Sequence, residues 1–285
     1  MKIYMVADME GATGITHRDQ LMETGGKRYW DGCKLLTGDV NAVIEGLVSE
    51  GATEVLVSEG HACMRNILVS ELHPAGRVLR GPARWDVKPL CQVGALGDDV
   101  DLGVFVGFHS RAGTPGGLLC HTWAGSVVHR FAINDVEVGE TAINAALLGA
   151  KGIPVGLVCG GDDLAREARA DLGDVECAIT KEVLGFDLAI CPGPKKTGPL
   201  LRDAAALAVR RHRSGAFTPY TVEGPVTITL DVMSDAQANR MTLTEGIERT
   251  ERRQVLCQAP DVTEALSLAW RAIQEVFHTP DSWLK

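Results

Sequence analysis

Asp8 and Glu10 follow the apolar run 3–7, His61 follows the run 53–57, and His109 follows 102–108. Read as neighbouring strands of a parallel sheet, these runs present all four side chains at the carboxyl edge, where open α/β sheets collect their ligands. Residues two apart on an extended chain point the same way, so Asp8 and Glu10 converge. Taken singly, each is an ordinary loop carboxylate or a satisfied polar histidine. Two carboxylates and two imidazoles at three strand ends instead describe a divalent-metal site, and a donor set without thiolate suits zinc, manganese or iron. Gly11, Gly14, Gly113, Gly116 and Gly117 allow the tight turns that such crowding requires. His121 lies beyond the glycine-rich loop 110–120, which would carry it over the site as an acid/base rather than as a ligand. Cys120 and His121 point to opposite faces of an extended segment, so they do not read as a nucleophile pair.

Other chemistries lack their patterns. The chain has no G-x-S-x-G elbow, no phosphate-binding G-x-x-x-x-G-K-[ST] loop, no G-x-G-x-x-G after a strand and no H-E-x-x-H. Gly193-Pro-Lys-Lys-Thr197 reads as a turn. His212, inside Arg210-Arg-His-Arg213, reads as a solvated helix end, and His17, His73, His129 and His278 have no convergent partner. The closest pair of cysteines, Cys177 and Cys191, is too widely spaced for a C-x-x-C site. Several of the eight lie in apolar runs, where a thiol behaves as a small buried hydrophobe, and together they read as reduced thiols.

The elements that must position these residues alternate along the chain. Strands are expected at 3–7, 53–57, 101–107 and 153–159, and helices at 29–49, 140–150, 163–170 and about 200–212. A strand pair over 126–138 turns at Asn134-Asp135. Strands at 226–232 and 254–257 and an amphipathic helix at 262–277 close the sequence. Alternation of this kind predicts an α/β fold, a mostly parallel sheet flanked by helices. The catalytic domain is expected at 1–214, with its metal site at the carboxyl ends of the strands, and a smaller C-terminal α+β subdomain at 215–285.

The 285 residues include 28 Lys plus Arg against 37 Asp plus Glu, a net charge of −9, so no basic stripe is available for a nucleic-acid backbone. The apolar stretch after Lys2 is too short for a signal-peptide core, and the most apolar region, 143–161, is broken by Asn144, Lys151 and Pro154. Neither membrane insertion nor export is expected, which argues against a peptide-binding transport component. The expected location is the cytoplasm.

Several blocks occur in an order that is itself informative: Met5-Val-Ala-Asp-Met-Glu-Gly-Ala-Thr-Gly14, Gly26-Lys-Arg-Tyr29, Glu54-Val-Leu-Val-Ser-Glu-Gly-His61, Leu72-His-Pro74, Gly107-Phe-His-Ser-Arg-Ala-Gly-Thr-Pro-Gly116, Ile133-Asn-Asp135, Val138-Gly-Glu140 and Gly161-Asp-Asp163. The series resembles the zinc-dependent D-aminopeptidases of the DppA type. The resemblance implies two Zn2+ per subunit, with Asp8 bridging, Glu10 and His61 completing one metal, His109 and Glu140 completing the other, and His121 catalytic. Glu140 by itself is only an acid in a helix's first turn, an ordinary dipole-compensating residue. Glu59 departs from the Asp expected before the metal histidine. The implied activity is removal of the N-terminal residue from short peptides or amides, with D-Ala-type substrates, by a metal-bridging hydroxide assisted by His121. A dinuclear amidase or phosphoesterase of different specificity is the alternative, since paired metals serve phosphoryl chemistry too. The resemblance further implies a large homo-oligomer, a decamer, enclosing its active sites; a dimer is the plainer alternative.

Overall fold

Alternating strands and helices build two sheets in the computed structural model, which describes residues 1–277; His278 and the end of the expected unit 215–285 lie outside the described residues. The first sheet comprises β1 (Lys2–Ala7), β2 (Glu54–Glu59), β3 (Gly76–Leu79), β4 (Leu102–Phe108), β7 (Val155–Gly161), β8 (Glu176–Gly185) and β9 (Leu188–Ile190). Its order is β3-β2-β1-β4-β7-β8-β9, and every pairing is parallel except the last, β8 with β9. From β1 the chain winds outward through β2 and β3, then returns to β4 and winds the other way. The crevice between the carboxyl ends of β1 and β4 is therefore the point at which the winding reverses, the preferred ligand position in such sheets.

The sheet is apolar on both faces because both are covered. Ile3, Met5 and Ala7 enter one core with α1 (Lys27–Ser49) and α4 (Pro194–Arg213), while Tyr4 and Val6 enter the other with α2 (Glu140–Gly149) and α3 (Asp162–Leu172). The second core continues into the antiparallel sheet β11-β12-β10-β5-β6, made of β5 (Val128–Ile133), β6 (Val136–Glu137), β10 (Val226–Val232), β11 (Glu248–Glu251) and β12 (Gln254–Ala259). Asn134 and Asp135 turn β5 into β6 with φ of 48° and 65°, the left-handed pair that a two-residue hairpin requires. Residues 215–277 thus do not build their sheet alone. The inward side chains of β10 (Val226, Ile228, Leu230, Val232) share a core with Phe131 and Ile133, so β10 pairs with the earlier hairpin. α5 (Asp235–Met241) and α6 (Val262–Phe277) close this layer.

One expected turn is a helix. Gly193 caps α4, and Pro194 stands at its first position, where proline's fixed φ suits the helix and its missing N–H is not needed. All eight cysteines are free. Among the described residues no helix is long and apolar enough to cross a membrane.

Candidate metal centre

Because β1 lies between β2 and β4, the segments that follow these three strands meet. Glycine makes the meeting close: Gly11 N donates to Gly107 O at 2.8 Å, and a Cβ on Gly11 would stand 1.8 Å from Phe108 O. Gly107 adopts φ +75°, and a Cβ there would lie 2.1 Å from Asp8 O. The structure brings together all six residues singled out above. His61 Nδ1 lies 3.2 Å from Asp8 Oδ1 and 3.1 Å from Glu10 Oε2. His109 Nε2 lies 3.5 Å from Asp8 Oδ2 and 3.6 Å from Glu140 Oε1. Glu140 opens α2, which the β5–β6 hairpin delivers to this edge. His121 Nε2 is 3.9 Å from Glu140 Oε1, and its ring stacks on His109 with centroids 4.1 Å apart. Asp8, Glu10, His61, His109 and Glu140 are buried, whereas the His121 side chain is 26% exposed and forms the accessible side of the cluster.

Backbone carbonyls fix the three imidazoles. His61 Nε2 donates to Leu21 O at 3.0 Å, His109 Nδ1 to Ser110 O at 2.9 Å, and His121 Nδ1 to Leu119 O at 2.9 Å. A carbonyl only accepts, so each of these nitrogens carries the proton and the neutral ring keeps its lone pair on the other nitrogen. Those lone pairs face carboxylates, an arrangement that requires a proton or a cation between them. His109 Nε2 is buried with no hydrogen-bond partner.

The titration behaviour expresses the same demand. Burial would lower His61 and His109, but Glu10 and Asp8 for the first, and Asp8 and Glu140 for the second, hold both well above the ordinary histidine value. Burial would raise Asp8, yet the adjacent imidazoles of His109 and His61 keep it well below the usual carboxylate range. Burial, aided by the charges of Asp8 and Glu10, pushes Glu140 up. His121 is lowered by burial and by the neighbouring His109.

These residues fit divalent cations. Potential ligand atoms within 4.8 Å of one another form the groups Asp8–Glu10–His61, Asp8–His109–Glu140 and Glu10–His109–His121. Asp8 serves the first two through opposite oxygens, Oδ1 toward His61 and Oδ2 toward His109. All the donors are carboxylate oxygen or imidazole nitrogen, as expected for zinc and its borderline neighbours.

Several supporting residues carry no signal in the sequence. Lys181 Nζ, buried on β8, donates to Glu10 O at 2.8 Å and Ile15 O at 2.6 Å. Asp39 on α1 accepts from Thr13 N and Oγ1 at 2.7 and 2.8 Å, so the turn after β1 is held from both sides. Asp163 Oδ2 accepts from Ser110 Oγ at 2.7 Å and Leu118 N at 3.0 Å, clamping both ends of the loop that leads to His121. The Gly161-Asp-Asp163 block marked this residue without revealing its task. Glu59 turns away from His61, accepting from Asn66 N and pairing with Arg80 at 3.4 Å. Cys120 Sγ contacts Thr114 O at 3.8 Å rather than His121. An open cleft of about 950 Å³ lined by His129, Asp231, Ser234, Arg252 and Gln254, among others, shares no residue with the cluster.

A sequence model of the family described as D-aminopeptidase matches residues 1–270. The chain belongs to this D-aminopeptidase family. The match extends well beyond the blocks that end at Asp163. The D-aminopeptidase of Bacillus subtilis (strain 168) is 34% identical over 266 residues, 93% of this chain and 94% of that protein. A solved structure of the Zn-dependent D-aminopeptidase DppA from Bacillus subtilis, a self-compartmentalizing protease, superposes with a TM-score of 0.91 at 32% identity. The superposition covers 98% of this chain and 99% of that one. As a member of the D-aminopeptidase family, the chain is an enzyme of the peptidase class.

Proposed function

We propose that this D-aminopeptidase family member is a dinuclear zinc enzyme that removes a D-configured N-terminal residue from short peptides or amides. The observation that carries the reading is the arrangement of lone pairs: His61 Nδ1 and His109 Nε2 address opposite oxygens of Asp8, each beside a second carboxylate. Asp8 would bridge two ions, with Glu10 and His61 holding one and His109 and Glu140 the other. Zinc and D-specificity are supported by the Bacillus subtilis relatives.

When bound, paired zinc ions supply Lewis-acid polarisation of a carbonyl and lower the pKa of a water bound to them towards neutrality. The chain's own part lies in positioning and proton transfer. Leu119 O holds the His121 Nδ1 proton, so Nε2 is free to move a proton at the exposed side of the cluster, where a leaving amine would depart. The clamp from Asp163 sets the loop that carries this imidazole. Lys181 and Asp39 keep Glu10 from swinging with its turn.

The free thiols support a reducing, cytoplasmic setting. Assembly of copies into a large homo-oligomer, a decamer, is supported by the self-compartmentalizing relative. It is supported also by Leu184, Phe186, Leu188 and Ile190 on the β8–β9 hairpin, each more than half exposed. Light scattering measures that mass directly. For the activity, zinc-loaded protein is assayed with a D-alanyl peptide, its L counterpart and a phosphate ester. Amine release from the D peptide is expected; phosphate release without amine release overturns the peptidase reading.

A further inference from the structure

Gln92 belongs to none of the sequence blocks, yet two of the acids are arranged around its amide. It lies buried in the segment between β3 and β4. Its Nε2 donates to Glu140 Oε2 and lies 3.4 Å from Asp8 Oδ2. Its Oε1 accepts from Asn144 Nδ2 at 2.5 Å, one helical turn beyond Glu140 on α2. With the carbonyl end committed to Asn144, both N–H groups are directed to the acids. Two further contacts fix the residue. Ser58 Oγ donates to Gln92 O at 2.6 Å, and a Cβ on Gly60 would stand 3.1 Å from Gln92 Cγ and Nε2. The glycine immediately before His61 thus leaves the space through which Gln92 reaches the cluster.

The consequence falls mainly on one half of the site. Gln92 engages Glu140 Oε2, while Trp123 N donates to Oε1 at 2.6 Å, so the carboxylate is held with Oε1 toward His109 and His121. A neutral amide orients an acid without cancelling its charge, whereas a lysine in the same place would repel a cation. Glu10 and His61 have no hydrogen bond to Gln92 among those that order them.

We propose that Gln92 is a positioning residue for the ion held by Asp8, His109 and Glu140, setting the affinity of that half of the site and leaving the Glu10–His61 half largely to its own ligands. The inference rests on the dinuclear reading above. Groups that orient metal ligands typically contribute 10–100-fold in affinity, and this is the range expected here.

The test titrates full-length protein with zinc against a competing chelator, with Gln92→Leu introduced into a His61→Ala background and, separately, into His109→Ala. In the first background the remaining ion should bind 10–100-fold more weakly; in the second the change should stay under about threefold. Asn144→Ala, which removes only the anchor of the amide, should give a smaller loss with the same selectivity and serves if Gln92→Leu does not fold. Equal weakening in both backgrounds marks a merely structural role and overturns the inference, as does no weakening in either. The wild-type zinc count tests the dinuclear reading separately, and a wild-type chain that takes up no zinc overturns that reading and this inference with it.

Discussion

Replacing Asp163 by Ala tests whether the loop 110–118 works as a held strut rather than a passive connection. Asp163 Oδ2 accepts two buried hydrogen bonds, from Ser110 Oγ and Leu118 N. Hydrogen bonds to a charged group contribute about 1.5–3 kcal/mol each, and truncation strands both donors, so the expected loss is about 3–6 kcal/mol. Unfolding entropy of about 2.1 cal/mol/K per residue amounts to ~0.6 kcal/mol/K for 285 residues, so Tm should fall by about 5–10 °C. Asp163→Asn retains an acceptor of the same shape and should lose roughly half as much. The kinetic consequence is larger than the thermal one. His121, the proposed proton carrier, follows Leu118 closely, and misplacing a group in that role by about 1 Å costs on the order of 10²-fold in rate. The assay combines scanning calorimetry, zinc content and steady-state hydrolysis of a D-alanyl peptide, with Asp163→Ala expected to keep its zinc. A variant that loses the stability but keeps kcat, or one whose rate falls only in proportion to lost zinc, refutes the strut.

Metal-free protein should lose stability as pH rises above about 6.5, while zinc affinity climbs over the same range. His61 and His109 are raised in the fold, so the stability they bring is complete below about 6.5 and is lost as pH rises through their folded values. Glu167, pushed up to about 7 by burial, and Glu140, also raised by burial, act with the same sign; the lowered His121 and His212 oppose them and are less strongly shifted. Zinc must displace those protons, hence the opposite trend; parallel trends in melting scans with and without chelator would be incompatible with the cluster. His121→Ala should retain two zinc ions and lose roughly 10²–10⁴-fold in kcat, and loss of an ion instead would make it a ligand of the Glu10–His109–His121 group. Gly11→Ala should prevent folding or cost more than about 4 kcal/mol, because its Cβ would meet Phe108 O at 1.8 Å; a soluble variant with wild-type Tm would show that the β1 and β4 ends need not approach so closely.

What could be read from the sequence was whatever depends on local period. Apolar runs marked β1, β2 and β4, and a residue at the end of a parallel strand has only one edge on which to stand, so Asp8, Glu10, His61 and His109 were legible as a group. The hairpin at Asn134-Asp135 was legible because φ > 0 at two successive positions selects such residues. Glu140 was not, because an acid in a helix's first turn looks alike whether it faces water or a neighbouring strand end; only family likeness drew it in. β8 escaped because Thr180, Lys181 and Glu182 interrupt its apolar run, although Lys181 points inward to the Glu10 turn. Gln92 lies in a segment with no period at all. The pairing of β10 with β5 depends on contacts about a hundred residues apart, beyond the reach of any local pattern.

The electrostatics of the cluster explain why so much of the fold converges on it. Ligand oxygens of Asp8 lie within 4.8 Å of those of Glu10 and, separately, of Glu140. Two unit charges at that distance repel by about 3 kcal/mol at an effective dielectric of 20, so two such pairs approach the whole stability of a typical domain. Hydrogen bonds offset only part of this: Met9 N donates to Asp8 Oδ1 at 2.8 Å and Trp123 N to Glu140 Oε1 at 2.6 Å. What remains must be met by positive charge. In the metal-free chain His61 and His109 offer it, by taking up protons on the nitrogens that face the acids. Two dications would release those protons and supply more charge than the imidazoles can. On the proposed dinuclear reading, ion uptake and folding stability would therefore be linked through the same five buried side chains, with the more exposed His121 left for proton transfer.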